Sequence, residues 1–109
     1  MKPLRFVGSS LAALQRFPDA PRRAAGHELW QAQCGLMPSD FKPMPAVGLG
    51  CYEIRIHVEG EWRVIYVAKL AEAVYVLHAF QKKSRATDRN DIAIAQNRYR
   101  AIVGRFRDE

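Results

Sequence analysis

The sequence predicts an α+β domain: an antiparallel sheet of three or four strands, with an N-terminal helical hairpin on one side and a C-terminal helix at its end. Three observations lead to that class. Residues 51–83 hold two β-branched, aromatic-rich runs on either side of Glu59-Gly60, followed by the apolar run AVYVLHAF at 73–80. Residues 9–33 hold two helix-like stretches separated by Phe17-Pro18. Residues 87–107 repeat Ile92, Ala95, Tyr99, Ile102 and Phe106 at spacings of three and four, which gives a helix one apolar face.

Taken in order, residues 3–7 read as a short edge strand with Leu4 and Phe6 on one side. Ser9 or Ser10 caps a brief helix carrying Leu11 and Leu14, which stops before Phe17-Pro18 because the residue preceding a proline avoids helical geometry. Asp19 and Pro21 are start signals for a longer helix running to about Gln33, with Gly35 as its stop. Its apolar stripe, Leu29 with Ala24, Ala25 and Ala32, is narrow and packs lightly. So short a link between the two helices predicts an antiparallel helical hairpin lying against the sheet. Residues 35–50 contain three of the six prolines and three glycines, and read as loop rather than as an element. Lys42 sits within that loop.

Loop length decides the faces of the hairpin that follows. With a two-residue loop, Arg63 would share the core face with Ile54 and Ile56. With a three-residue loop, Val58-Glu59-Gly60, the glycine takes the left-handed position such a loop needs, and the faces separate. Tyr52, Ile54, Ile56, Trp62, Val64 and Tyr66 then lie on one side. Glu53, Arg55, His57, Glu61 and Arg63 lie on the other, continued by Ile65 and Val67, with Arg55 directly opposite Arg63. Two opposed arginines repel each other, so an anion is expected nearby. Glu53, one diagonal step from Arg63, is an internal partner for them; a phosphate, whose geometry suits the guanidinium fork, is an external one.

The strand at 73–80 is apolar on both faces, as a covered central strand is. His78 is its sole polar interruption, either a core histidine or a catalytic one, and the turn at 69–72 leaves its face open. Gln81-Lys82-Lys83-Ser84-Arg85 follows directly. Thr87 or Asp88 begins the last helix, on which Arg89, Arg98, Arg100, Arg105 and Arg107 form a basic, solvated remainder.

A length of 109 residues fits one domain spanning 1–109, with 49% hydrophobic and 26% charged residues as in folded soluble chains. No apolar run approaches a membrane span, and the apolar part of the first residues is too short for a secretory signal, so a cytoplasmic protein without membrane partners is expected. Two cysteines, Cys34 and Cys51, lack metal-type spacing and read as buried or free thiols. A net charge of +6 draws anions to the whole molecule.

The run CYEIRI, a glycine turn, WRVIYV, and then VYVLHAFQKKSR leading into a terminal helix resembles the RelE/ParE toxin superfamily of type II toxin–antitoxin systems. The branch it is most similar to is the phage-derived HigB type, marked by an ExR strand (Glu53-Ile54-Arg55), an RxxY strand (Arg63 to Tyr66) and a central strand closing in HxFxKK (His78 to Lys83). The likeness runs through nearly the whole chain in element order and is specific over residues 51–85. It implies a RelE-like fold and a toxin that enters the ribosomal A site and cuts messenger RNA. It further implies a cognate antitoxin, often a helix-turn-helix protein, as the partner that restrains it. By position, Arg55, Arg63, Lys82 and Lys83 are the residues that would cradle and cleave RNA, with Lys42, His57 and Arg85 as further RNA-binding candidates. Where some members carry a catalytic tyrosine or histidine, this chain reads Asp88-Arg89-Asn90-Asp91.

The chemistry itself demands a base for the ribose 2′-hydroxyl, cations for the charge growing on phosphorus, and an acid for the leaving 5′-oxygen. Arginine cannot serve as the base, so Arg55 and Arg63 fall to the phosphate. Neighbouring cations lower a lysine's pKa, which makes Lys82 or Lys83 the proton-transfer candidate, with Glu53 or His57 as substitutes. No cluster of carboxylates or histidines calls for a metal, and no cofactor is expected. The general acid stays unassigned. A ParE-like toxin that blocks DNA gyrase, or a basic RNA-binding protein without cleavage, are the other readings of the same basic face.

Overall fold

The computed structural model describes residues 1–107, with side chains as far as Gly104. Phe106, Arg105 and Arg107, expected above on the last helix, have side chains outside the described set. The element order is β1 (Leu4–Phe6), α1 (Ser10–Gln15), α2 (Asp19–Gln33), β2 (Phe41–Pro43), β3 (Cys51–Ile56), β4 (Trp62–Val67), β5 (Val74–Gln81) and α3 (Arg89–Arg107). The α+β class stands.

The sheet has five strands in the order β1-β5-β4-β3-β2, where three or four antiparallel ones were expected. Two short edges make the difference. β1 runs parallel to β5, with Leu4 opposite Val74 and Phe6 opposite Val76, so the sheet is mixed. β2 forms inside the segment read as loop, pairing antiparallel with β3 through Phe41–Ile54, Lys42–Glu53 and Pro43–Tyr52. Three residues ending in a proline leave no periodic pattern to read, and an edge strand tolerates a proline because one of its sides donates to nothing.

The hairpin register is the expected one. Arg55 faces Arg63, and Ile56 faces Trp62. The left-handed conformation falls on Glu59 (φ 53°), with Gly60 following at φ 119°, so the glycine does not carry the turn alone. Tyr66, Val64, Trp62, Ile54 and Ile56 pack with Leu14, Phe17, Ala25, Leu29 and Ala32 beneath the two N-terminal helices. α1 lies chiefly against β5 and α2 against β3, each on its own strand rather than mainly on the other helix. Ser9 occupies the N-cap of α1 without a side-chain cap bond, because its hydroxyl accepts from Arg98 instead. Ser10 is fully buried and donates to the Val76 carbonyl.

The opposite face is covered by α3 over part of its area only. Ile65, Val67, Leu77 and Cys51 pack there against Ala95 and Ile102. A bulge in β5 places Leu77 between the pairs Ile65–His78 and Tyr66–Val76. That extra residue lets Leu77 and His78 both serve the side that meets α3. Asp88 caps α3, its carboxylate accepting from the Asn90 amide at 2.7 Å. Both cysteines are free, Cys34 exposed and Cys51 buried. Burial pushes the Cys51 thiol up to about 12, which leaves it inert. No described helix is long and apolar enough to cross a membrane.

Candidate functional site

Beyond the end of α3, the second sheet face is charged. Glu53 and Arg55 on β3 and Arg63 on β4 share it, since the ladder sets Arg55 directly across from Arg63. Equal register gives them unequal surroundings. Arg63 is 2% exposed, donating from Nη1 to the Trp62 carbonyl at 2.9 Å and from Nη2 to Glu61 at 3.0 Å. Its Nε lies 3.6 Å from Glu53, itself 1% exposed. The second Glu53 oxygen accepts from the Thr87 hydroxyl at 2.8 Å, just before α3. Glu53 is thus the internal anion that the sequence suggested, and Glu61 is a second one. The guanidinium of Arg63 is enclosed by its own protein.

Arg55 is half-buried and has no ion pair among the described residues; its Nε is enclosed without a hydrogen-bond partner. Two adjoining cavities open beside it, about 510 and 570 Å³ in volume, which share Arg55, Lys82 and Arg85. Lys42 borders the first, while Arg63 and Lys83 border the second. Strand pairing explains the convergence. β5 runs antiparallel to β4 and brings Gln81 opposite Trp62, and the Lys82 amide then donates to the Glu61 carbonyl at 2.7 Å. The lysine doublet therefore leaves the sheet beside the hairpin, within reach of Arg55. Glu53 lines the first cavity and Glu61 the second, but both are paired with Arg63. Arg55, Lys82, Lys83 and Arg85 therefore remain without an ion pair among the described residues and form a standing attraction for a multivalent anion such as a phosphate.

Neither candidate histidine joins them. His57 is held on both ring nitrogens, by Asp40 at 2.6 Å and by Glu61 at 2.8 Å. Its hydrogen bonds to Asp40 and then Glu61 raise its pKa, and with both ring nitrogens engaged by carboxylates neither faces the cavities. His78 turns to α3, where its Nε2 lies 2.7 Å from Asp91, and its ring stacks on Phe80. Burial lowers its pKa against the opposing pull of Asp91. It borders neither of the two cavities. The core reading of His78 fits this placement.

Sequence reasoning missed the roles of Thr87, Asp40 and Asp91 and the wall of the first cavity formed by Met44, Pro45 and Ala46. The one local signal was the polar pair Thr87-Asp88 at a helix start. Only its cap half was readable, since Thr87 reaches back 34 residues to Glu53. Among the described residues, no group of three potential ligands converges to hold a metal ion.

Comparison with known proteins adds the lineage. No curated protein matches the chain. The family model described as phage-derived protein Gp49-like (DUF891) matches residues 12–100, which takes in the helical pair, β2 to β5 and most of α3. Because that match spans both faces of the sheet and every residue of the basic cluster, this chain belongs to the phage-derived Gp49-like family.

Proposed function

We propose that the chain is the toxin of a type II toxin–antitoxin pair, of HigB type, acting in the cytoplasm as a ribosome-dependent, metal-independent messenger-RNA endoribonuclease held in check by a cognate antitoxin. The Gp49-like family is of RelE-like toxin type, which supports the toxin half of this reading. The nuclease half rests on one observation: the unpaired, half-buried guanidinium of Arg55 between two cavities rimmed by Lys82, Lys83 and Arg85. A phosphodiester seated there meets cations already in place, whose effect grows as charge develops on phosphorus. The ribose 2′-oxygen attacks the adjacent phosphorus and loses its proton, and the bond to the 5′-oxygen breaks as that oxygen gains one. The products are a 2′,3′-cyclic phosphate and a free 5′-hydroxyl.

Lys82 and Lys83 are the proton-transfer groups in this scheme, since His57 is clasped and His78 faces α3. Arg63 acts behind the site as the cation that offsets Glu53 and Glu61, which line the first and second cavities. In a translating extract the wild-type chain cuts messages within codons, and Arg55→Ala lowers cleavage by roughly 10²- to 10³-fold, the range for removing one preorganised charge-stabilising donor. Undiminished cleavage by that variant, or equal cleavage of naked RNA, overturns the proposal. A second reading has a specific observation in its favour: no imidazole borders either cavity. A non-enzymatic, ParE-like toxin would inhibit gyrase supercoiling with RNA left intact. A mere RNA binder would show binding that weakens steeply with salt and no scission.

A further inference from the structure

The two cavities that share Arg55 are lined by opposite chemistry. The second is lined by polar residues throughout, with Arg63, Lys83, Ser84 and the Arg63-paired Glu61 added to the shared cations. The first, the more enclosed, adds a wall of Pro43, Met44, Pro45, Ala46, Ala86 and Ile92. Glu53 also lines it, but is 1% exposed and held by Arg63 and Thr87, so cations at one end and this largely apolar wall at the other match a ligand divided in the same way. We infer that the first cavity is a nucleobase pocket: it takes one unstacked base of a nucleotide whose phosphate lies on Arg55, Lys82 and Arg85. The inference rests on the nucleotide-directed reading above and deepens it, assigning the site to single-stranded substrate with a base turned out of its stack.

The wall is built to hold its shape. Pro43 and Pro45 fix the backbone on both sides of Met44, which is itself buried in the core under α3. The Ala46 carbonyl accepts from Gln96 at 2.6 Å and the Leu49 carbonyl from Tyr99 at 3.1 Å, tying the segment to α3 at two points. The facing wall is tied too, because Thr87 is hydrogen-bonded to Glu53. A volume of about 510 Å³ lies within the range of small-molecule sites. A pocket already formed binds a flat heterocycle without the entropic cost of ordering its own walls.

Titration of the intact chain with adenosine and uridine 5′-monophosphates, ribose 5-phosphate and inorganic phosphate tests this. Nucleotides should bind about tenfold or more tighter than ribose 5-phosphate, an increment that burial of roughly 55 Å² of base surface supplies at about 25 cal/mol per Å². Ala46→Trp and Ala86→Trp each fill the pocket from an exposed position on a different wall. Both should erase the preference and leave ribose 5-phosphate binding unchanged, whereas Arg55→Ala should weaken both ligands together. Equal binding of nucleotide and ribose phosphate by the wild type, as expected if the wall serves a protein side chain instead, overturns the pocket. So does a preference that survives in both tryptophan variants. A chain that cuts messages yet shows no nucleotide preference sinks this pocket and spares the nuclease; a nucleotide preference in a chain that cuts nothing does the reverse.

Discussion

The sheet face that meets α3 is divided between a dry half and a wet half, and the same backbone ladder builds both. In the dry half Ile65, Val67 and Leu77 are fully buried, and the one polar group, His78, is paired with Asp91. In the wet half Arg55 and Arg63 stand opposite each other, one open and one enclosed. The difference shows what the molecule does with charge. Where α3 or a neighbouring loop closes over the face, Arg63 and His78 each have a carboxylate partner within it. Where the face opens, Arg55 and the lysines and arginine beside it have no ion pair among the described residues. Arg63 has two carboxylates and a carbonyl; Arg55 has a cavity on either side. A guanidinium kept without an internal anion is the feature that a purely structural role leaves unexplained.

The largest effect should come from cutting the enclosed arginine. Arg63→Ala leaves Glu53 buried without its cation, and loss of one partner of a buried pair costs about 3 kcal/mol or more. Arg55→Ala removes a like charge facing Arg63 and should change stability by less than about 0.5 kcal/mol. Urea unfolding of the two variants checks the contrast directly: equal losses would mean that Arg55 is structural as well. A sharper form replaces both members, Glu53→Leu with Arg63→Met, which should recover most of the stability because neither charge is left alone. Next in size is Thr87→Val, which deletes the hydroxyl donated to Glu53. That change should cost about 1–2 kcal/mol, as for a hydrogen bond to a charged group, and should loosen the segment between β5 and α3. Hydrogen exchange at residues 82–88 reads that loosening, and an unchanged exchange profile would separate Thr87 from the Glu53–Arg63 pair.

The readable parts of the sequence were those with a repeat or a register. Alternation from Tyr52 to Val58, together with the need to keep Arg63 out of the core, was enough to set Arg55 against Arg63. Proline and glycine signals placed α2 at its observed bounds. The unreadable parts depend on contacts distant in sequence. β2 exists because β3 offers it an edge, not because Phe41-Lys42-Pro43 prefers a strand. The face of His78 is set by a single extra residue at Leu77, and bulges leave no trace in an apolar run that is buried on both sides. The same limit applies to the two arginines. Sequence puts them face to face, but only the fold, by bringing in Glu61 and Thr87, decides which of them is enclosed.

The smallest effect contrasts the two histidines, one in each half of the face, and it turns on sign rather than size. Burial holds His78 below the ordinary imidazole value of 6.5, against the opposing hydrogen bond from Asp91 and with Arg98 adding to the depression. The unfolded chain therefore takes up a proton there first. The stability tied to neutral His78 is complete above about pH 6.5 and is lost as the pH falls towards its folded value. His57 is raised by Asp40 and Glu61, so its contribution is complete below about pH 6.5 and is lost as the pH climbs through its folded value. Because its clasp is exposed, screening keeps that contribution small. In the wild type the two windows lie on opposite sides of about pH 6.5, so this pair gives a stability maximum near that value. His57→Asn should remove the alkaline-side fall and leave a stability that rises up to about pH 6.5, and His78→Asn should remove the acid-side loss and leave one that falls above it. Imidazole titrations followed by NMR should bracket 6.5, with His57 above it and His78 below. If the two rings titrate together, the dry and wet halves differ less in their electrostatics than their geometry requires.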